Sequence, residues 1–303
     1  DRKGNGQFED YQVIQVNGYA HHIFPGNLKA QWVRVHSDQD CKASVSFHFS
    51  DDIYRNPSEG EELFKAIAKV EDTAVNSALL YPAKRNRHLR VLNGEQSYDF
   101  TQFDFDFQPT KADASLRKKL TVQPEFSVDE ASVILESKEA RSIVGKQGRG
   151  IRLRLPKGPK SYDKPFSFGH PRMHREVESE RMMANIHGTF YEVPFWIVGD
   201  APLYTKMRPV CTHKRQISDF TTWNGLLVLA GLKADAKEST HVYKSDDGNT
   251  SLWFGGIDDL WKFGKPTGVG GPWKNTAVKA GVPSDPYLMT GYDQKTLELT
   301  ANK

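Results

Sequence analysis

Apolar and polar residues alternate in short runs along much of the chain, which is the pattern of half-buried β-strands. In residues 30–49, AQWVRVHSDQDCKASVSFHF, Trp32 and Arg34 fall on one face and Val33 on the other before the run turns and alternates again. Two such runs around a short polar turn predict antiparallel strands. We therefore expect residues 1–57 to form a β-sandwich-like segment or accessory module.

One stretch follows a helical period instead. Residues 58–70, SEGEELFKAIAKV, place Leu63, Ile67 and Val70 at spacings of four and three. Ser58 stands ahead of acidic residues, a combination that caps a helix and complements its dipole. The pattern predicts one helix from Ser58 to Val70.

In the second half of the chain, strand, tight turn and strand recur at roughly 35–45 residues, the rhythm of propeller blades. The units are residues 207–232, 240–266 and 287–300. The first contains the turn Trp223, Asn224, Gly225, and an Asn-Gly pair between apolar runs favours a hairpin. The expected fold class is all-β, with propeller-like blades over residues 58–303 and one short helix.

An internal repeat supports a β array. Residues 89–99, LRVLNGEQSYD, and residues 153–163, LRLPKGPKSYD, share Leu, Arg, Gly, Ser, Tyr and Asp without a gap. Self-similarity at a fixed separation is typical of repeated β units. We expect Tyr98 and Tyr162 to occupy equivalent positions in two similar sheets.

The stretch THVYKSDDGNTSLWFGGIDDLWKFGKP, residues 240–266, reads as a hairpin around an Asp/Gly/Asn turn. That turn resembles the Asp box of sialidase-like β-propellers through Ser245, Asp247 and Trp253. The strings HGTFYEVP and CTHKRQISDFTTWNGLLVLAG extend the resemblance to secreted bacterial β-propeller proteins that break down polysaccharides. The resemblance implies a secreted or periplasmic protein whose partner is a polysaccharide or oligosaccharide.

Composition narrows the classes of partner. The 41 basic and 38 acidic residues are mixed along the chain, so the net charge of +3 gives no argument for nucleic acid. Apolar runs are too short for a membrane span. A chain that opens at Asp1 without Met is expected to be a trimmed portion of a longer protein. The missing part would include strands that complete the fold.

The two cysteines, Cys41 and Cys211, lie far apart and lack the spacing of a zinc site. Whether they pair is left open by the sequence. The Gly-rich stretch GKPTGVGGPW lacks the Lys and Ser or Thr of a phosphate loop, so nucleotide binding is disfavoured. No cofactor is expected, with a structural calcium ion as the open alternative.

A glycoside hydrolase acting on an acidic or deoxy sugar is the leading functional hypothesis. Such an enzyme needs a protonated carboxyl and a second carboxylate that serves as base or nucleophile. The hypothesis assigns Glu192 or Asp258 as the acid and Asp219 as its partner. His187 and His213 are alternatives for general acid/base catalysis. His187 and Glu192 are of particular interest because they sit inside or at the end of an otherwise apolar strand, where a polar group costs free energy unless it is partnered.

The expected substrate-binding residues are cations that grip a carboxylate or sulfate, and aromatic groups that contact sugar rings. They are Arg175, Arg181, Arg215, Tyr191, Trp223, Trp261 and Tyr287. Two rival hypotheses stay open. One is a polysaccharide lyase in which His187 or His213 acts with Tyr191, and the other is a carbohydrate-binding or surface scaffold protein without catalysis.

Overall fold

The computed structural model describes residues 2–3, 7–8, 57–83, 88–101, 107–111, 114–116, 126–137, 151–177, 182–194 and 206–301. Its strands are Arg2–Lys3 (β1), Gln7–Phe8 (β2), Val75–Asn76 (β3), Leu79–Ala83 (β4), His88–Asn93 (β5), Gln96–Thr101 (β6), Phe107–Thr110 (β7), Ser127–Val128 (β8), Val133–Ser137 (β9), Ile151–Leu155 (β10), His174–Glu176 (β11), Met182–Ile186 (β12), Thr189–Val193 (β13), Arg208–Thr212 (β14), Asp219–Trp223 (β15), Leu226–Ala230 (β16), Leu232–Lys233 (β17), Val242–Lys244 (β18) and Ser251–Gly255 (β19). Each pairing between these strands is antiparallel. The predicted all-β class is confirmed.

Four sheets make up most of the described chain. Sheet A has the strand order β4-β5-β6-β7, sheet B β10-β9-β8, sheet C β11-β12-β13-β14 and sheet D β15-β16-β19-β18. The predicted turn at Asn224 and Gly225 is confirmed, and both residues have positive φ (53° and 74°). His187 and Gly188 form a second turn of this kind between β12 and β13. Such turns match the twist of the strands that they join.

The sheets stack face to face in the order A, D, C, B. Three buried clusters join them: the A–D interface contains Val91, Phe100, Val228 and Phe254, the D–C interface Leu227, Leu229, Phe190 and Cys211, and the C–B interface Ile186, Tyr191, Leu135 and Leu153. Sheets C and D are buried on both faces, which explains continuous apolar runs such as LLVLA in β16. The described strands do not close into a ring or barrel.

The helix is shorter than its sequence pattern predicts. It spans Pro57–Leu63 and ends in a turn, and Ile67 then forms a β-bridge with Leu232. Phe64 and Ile67 are fully buried in the cluster between sheets D and C. Tertiary packing therefore overrides the helical period at Ile67, because the backbone there finds hydrogen-bond partners beside β17.

The hairpin predicted within residues 240–266 is confirmed as β18 and β19. At its turn Asp247 Oδ1 accepts the Ser245 hydroxyl at 2.6 Å and the Asn249 N–H at 3.0 Å. The hydroxyl of Tyr98 donates to Asp247 Oδ2 at 3.0 Å and ties the turn to sheet A. Burial alone would raise the pKa of Asp247, but these hydrogen bonds outweigh that effect and lower the pKa.

Replacing Asp247 by Ala should lower the free energy of unfolding by about 1–2 kcal/mol, because three donors lose their acceptor. Urea unfolding would measure the loss. Asp246→Ala is a suitable control, since this neighbouring exposed carboxylate accepts a side-chain hydrogen bond from Gln108. Equal losses in the two variants would contradict a special role for Asp247.

The two copies of the sequence repeat fold differently. The first copy is the β5–β6 hairpin, with Tyr98 on β6. The second begins on β10 but continues into a 3₁₀ helix at Lys160–Asp163, where Tyr162 lies. The expectation of equivalent sites is wrong, because Pro156 and Pro159 supply no backbone N–H for a returning strand.

The unit predicted over residues 287–300 is also wrong. Tyr287 forms an isolated parallel bridge with Arg154 at the edge of sheet B, and regular strands are not assigned over 264–301. Leu297 and Leu299 are 73% and 77% exposed. Their alternation resembles a strand, but a strand requires a neighbouring edge for its backbone hydrogen bonds.

The sandwich-like segment predicted for residues 1–57 lies almost wholly outside the described residues, so the boundary at residue 57 stays a prediction. Residues 178–181, which include the predicted substrate-binding residue Arg181, also lie outside the described residues. Among the helices that the structure describes, none has the length and apolar character needed to cross a bilayer.

Candidate functional site

Asp219, the predicted catalytic partner, lies at the junction of sheets A, C and D and is fully buried. Its Oδ1 accepts from Arg172 Nε at 2.8 Å and from the Phe220 N–H at 2.8 Å. Its Oδ2 accepts from the Leu80 N–H at 2.8 Å and from Arg175 Nη2 at 3.3 Å. The carboxylate and Arg175, a predicted substrate-binding residue, thus hold three sheets together.

His187 occupies the turn between β12 and β13, with φ of 53°. Its Nδ1 accepts the Gly158 N–H at 2.9 Å, so the ring proton is on Nε2, which lies 2.9 Å from Asp163 Oδ1. Burial lowers the pKa of His187 and outweighs the opposing effect of Asp163. Both ring nitrogens are used within the fold, an arrangement that stabilises the turn.

His213 is buried behind the ring of Phe190. Its Nδ1 accepts the Arg215 N–H at 3.0 Å, and its Nε2 donates to Asn185 Oδ1 at 2.9 Å. Burial, followed by the charge of Arg215, lowers the pKa of His213 to about 3. A neutral, fully hydrogen-bonded imidazole at this position supports the structure between sheets C and D.

A small crevice borders His187, Tyr162 and Phe166. Its volume is about 10 Å³, close to the room required by one water molecule. A sugar ring does not fit there. The crevice beside His187 is therefore too small for the predicted substrate, and His213 does not line it.

The two predicted acids lie on different elements. Glu192 is half-buried on β13, in register with Arg208 on β14. Asp258 is exposed on the 3₁₀ helix Ile257–Phe263, while its neighbour Asp259 accepts the Gly256 N–H at 2.7 Å. Asp259 thus holds the turn that begins this 3₁₀ helix.

Three of the predicted binding residues, Arg215, Tyr191 and Trp223, are buried within the fold. Arg215 donates to the Ile67 carbonyl at 3.0 Å and to Glu61 at 3.1 Å. Tyr191 and Trp223 are each 1% exposed. Trp261 is 40% exposed, and Tyr287 is half-buried beside sheet B.

A larger concave surface lies at the edge of sheet B. This groove has a volume of about 410 Å³. One wall is the turn between β8 and β9 with Asp129 and Glu130, the floor carries Arg154 from β10, and the opposite wall comes from residues 272–276 and 283–285. Its size falls in the range of small-molecule binding clefts.

Local hydrogen bonds shape the first wall of the groove. Asp129 Oδ1 accepts the N–H groups of Ala131 and Ser132 at 2.8 and 2.7 Å, which fixes the turn. Gly270 then passes so close that a Cβ there would lie 2.5 Å from the Ala131 carbonyl oxygen. Glycine is thus required for the segment before Trp273 to reach the wall.

Backbone pairing brings the second wall to Arg154. Its N–H donates to the Pro286 carbonyl at 2.8 Å, and its carbonyl accepts the Leu288 N–H at 2.8 Å. Asp285 consequently lies beside the guanidinium. Arg154 Nε donates to Asp285 Oδ2 at 2.9 Å, and Nη1 donates to Asp129 Oδ2 at 2.7 Å.

The groove is strongly polarised. Burial alone would raise the pKa of Asp129, but hydrogen bonds from Arg154, Ser132 and Ala131 lower it. Burial alone would lower the pKa of Arg154, but the hydrogen bonds and negative charges of Asp129 and Asp285 outweigh it and raise that pKa. Asp129 is therefore ionised, as a hydrogen-bond acceptor should be.

One aromatic side chain completes the groove. Trp273 is 44% exposed on the second wall, next to Lys274. Lys274 Nζ lies 3.5 Å from Glu130 on the opposite wall. An exposed indole among hydrogen-bonding groups can stack on the C–H face of a ring while polar groups bind its substituents.

Sequence reasoning missed Arg154 and Asp129 as site residues. The SVDEAS stretch gives a local turn signal at Asp129. The pairing of Arg154 with Asp285 spans 131 residues and has no local signal. Groups of three or more potential metal ligands do not occur within the described residues.

Comparison of the chain with family models, curated proteins and solved structures finds no match. Functional argument therefore rests on the geometry of the groove.

Proposed function

We propose that the protein binds a polysaccharide or oligosaccharide in the groove at the edge of sheet B. The observation that carries the proposal is the exposed Trp273 beside Asp129 and Asp285, both held by Arg154, in a cleft of about 410 Å³. An indole platform with fixed carboxylate acceptors suits a sugar ring, which has apolar faces and a hydroxyl rim. A glycan partner agrees with the secreted or periplasmic location that the family resemblance implies.

Binding without cleavage is the form that we propose. Glycoside hydrolysis needs a carboxyl group whose pKa is raised so that it can donate a proton. In the groove the pKa of Asp129 is lowered, and Asp285 contacts the same guanidinium. This favours the scaffold or carbohydrate-binding hypothesis over the hydrolase and the lyase.

We also propose a propeller-like arrangement of sheets A to D. Neighbouring blades of a propeller are antiparallel sheets that pack face to face in series. Sheet A, first in the chain, packs on sheet D, the last of the four, as the first and last blades of a propeller do. Sheet D departs from a simple meander, since β19 and not β18 lies beside β16.

Replacing Trp273 by Ala should weaken binding of a glycan oligomer about 30-fold, the loss expected of an aromatic hot spot worth about 2 kcal/mol. Isothermal titration against oligosaccharides selected from an array would measure it. Trp261→Ala is the matched control, because Trp261 has similar exposure but lies outside the groove lining.

Loss of binding in Trp261→Ala with Trp273→Ala unaffected would move the site away from the groove. Reducing-end release and ultraviolet absorbance of unsaturated uronates should both stay at background during incubation with the bound glycan. A rise in either signal would contradict the non-catalytic proposal.

A further inference from the structure

We infer that the groove selects neutral and amino sugars against uronates and sulfated sugars, an inference that rests on the proposed glycan binding. The sequence alone favoured an acidic or deoxy sugar, and arginines were expected to hold the carboxylate or sulfate of an acidic one. The charges of the groove favour the opposite selection.

The first step concerns the cation at the floor. Arg154 is 12% exposed and contacts two carboxylates, those of Asp129 and Asp285. Its single positive charge is more than offset by them. A ligand carboxylate at this position would be a third anion beside one cation, and like charges at contact distance raise the free energy of binding.

The second step concerns the rim. Lys274 lies 3.5 Å from Glu130, and Asn275 Nδ2 also donates to Glu130 at 3.0 Å. The lining thus has three carboxylates and two cations. The groove as a whole carries a formal charge of −1 before any ligand binds.

The third step concerns hydrogen-bond capacity. An ionised carboxylate accepts up to about four hydrogen bonds and donates none. Asp285 accepts one from Arg154 within the described residues and is 35% exposed, so acceptor positions face the groove. Hydroxyl and ammonium groups are donors that fit them, and a protonated amine gains further from the indole of Trp273.

Titrating the intact chain with three oligomers of equal length tests the inference: β-1,4-linked N-acetylglucosamine, β-1,4-linked glucosamine and α-1,4-linked galacturonate. At about pH 5 the uronate is ionised and nearly all of the amine is protonated. We expect affinity to fall from glucosamine to N-acetylglucosamine to galacturonate. A ratio of about tenfold between the extremes follows from two partly exposed charge contacts.

Asp285→Asn keeps the shape of the side chain and removes one charge, and it should reduce that ratio severalfold. If loss of the partner to Arg154 prevents folding, Glu130→Gln on the exposed rim should change the ratio in the same direction. Galacturonate binding as tightly as glucosamine would overturn the inference and leave glycan binding standing. Absence of binding to all three oligomers and to an array of other glycans would overturn the proposed function itself.

Discussion

Asp219→Asn is expected to destabilise the fold by about 3–5 kcal/mol, which is the cost of removing one partner from a buried ion pair. The carboxylate is fully buried and accepts hydrogen bonds from Arg172, Arg175 and two backbone N–H groups. Asparagine offers one acceptor oxygen in place of two and has no charge. Both guanidinium groups would then lose the negative charge of Asp219 at the junction of sheets A, C and D.

Chemical unfolding followed by tryptophan fluorescence would measure this loss. Asp258→Asn supplies the matched control, because the same substitution on an exposed residue should change stability by less than about 0.5 kcal/mol. If Asp219→Asn were as stable as the control, the junction would not depend on the ion pairs. The catalytic role that the sequence predicted for Asp219 would then have to be tested.

Stability is expected to fall steeply with acid from about pH 6.5 towards pH 3, because His213 stays neutral in the folded protein. Its folded pKa is about 3, whereas an unfolded chain has the ordinary value near 6.5. Between those values the unfolded state binds the additional proton. Stability is therefore fully present above about pH 6.5 and falls by up to about 1.4 kcal/mol per pH unit below it.

His187 adds to the same trend, since its pKa is also lowered by burial. The lowered pKa values of Asp129 and Asp163 act at more acidic pH, below the ordinary aspartate value of 3.8. Urea unfolding at a series of pH values would separate the two ranges.

His213→Gln isolates the largest contribution to this trend. Glutamine can both accept from the Arg215 N–H and donate to Asn185, but it does not titrate. The variant is expected to lose stability at about pH 8 through poorer packing against Phe190, while its stability falls less between pH 6.5 and 4. Parallel curves for the variant and the original chain would show that His213 is not the source of acid sensitivity.

Much of the local structure follows from short stretches of sequence. The turn at Asn224 and Gly225 and the Asp247 turn were both predicted. Residues that favour positive φ, and side chains that accept backbone hydrogen bonds, determine the conformation of residues only a few positions away. The helix ending at Leu63 and the fold of residues 153–163 were not predicted. Long-range packing ends the helix at Leu63. In residues 153–163, Pro156 and Pro159 lack the backbone N–H that a returning strand needs.

The candidate site was less predictable than the fold. Residues chosen as catalytic candidates, such as Asp219 and His213, lie in the interior and form their hydrogen bonds with the protein itself. A buried polar side chain indicates a partner, but sequence does not say whether that partner is a ligand or the fold. The residues that line the groove were not predicted as one site.

By itself the sequence determined the antiparallel β class, several hairpins and their turns, since these depend on alternation and on conformational preferences within a few residues. Only the tertiary structure decided which charges meet. Arg154 and Asp285 are 131 residues apart, and their contact requires the terminal segment to pair with the edge of sheet B. Such a contact depends on the free energy of packing the whole chain, which no local pattern encodes.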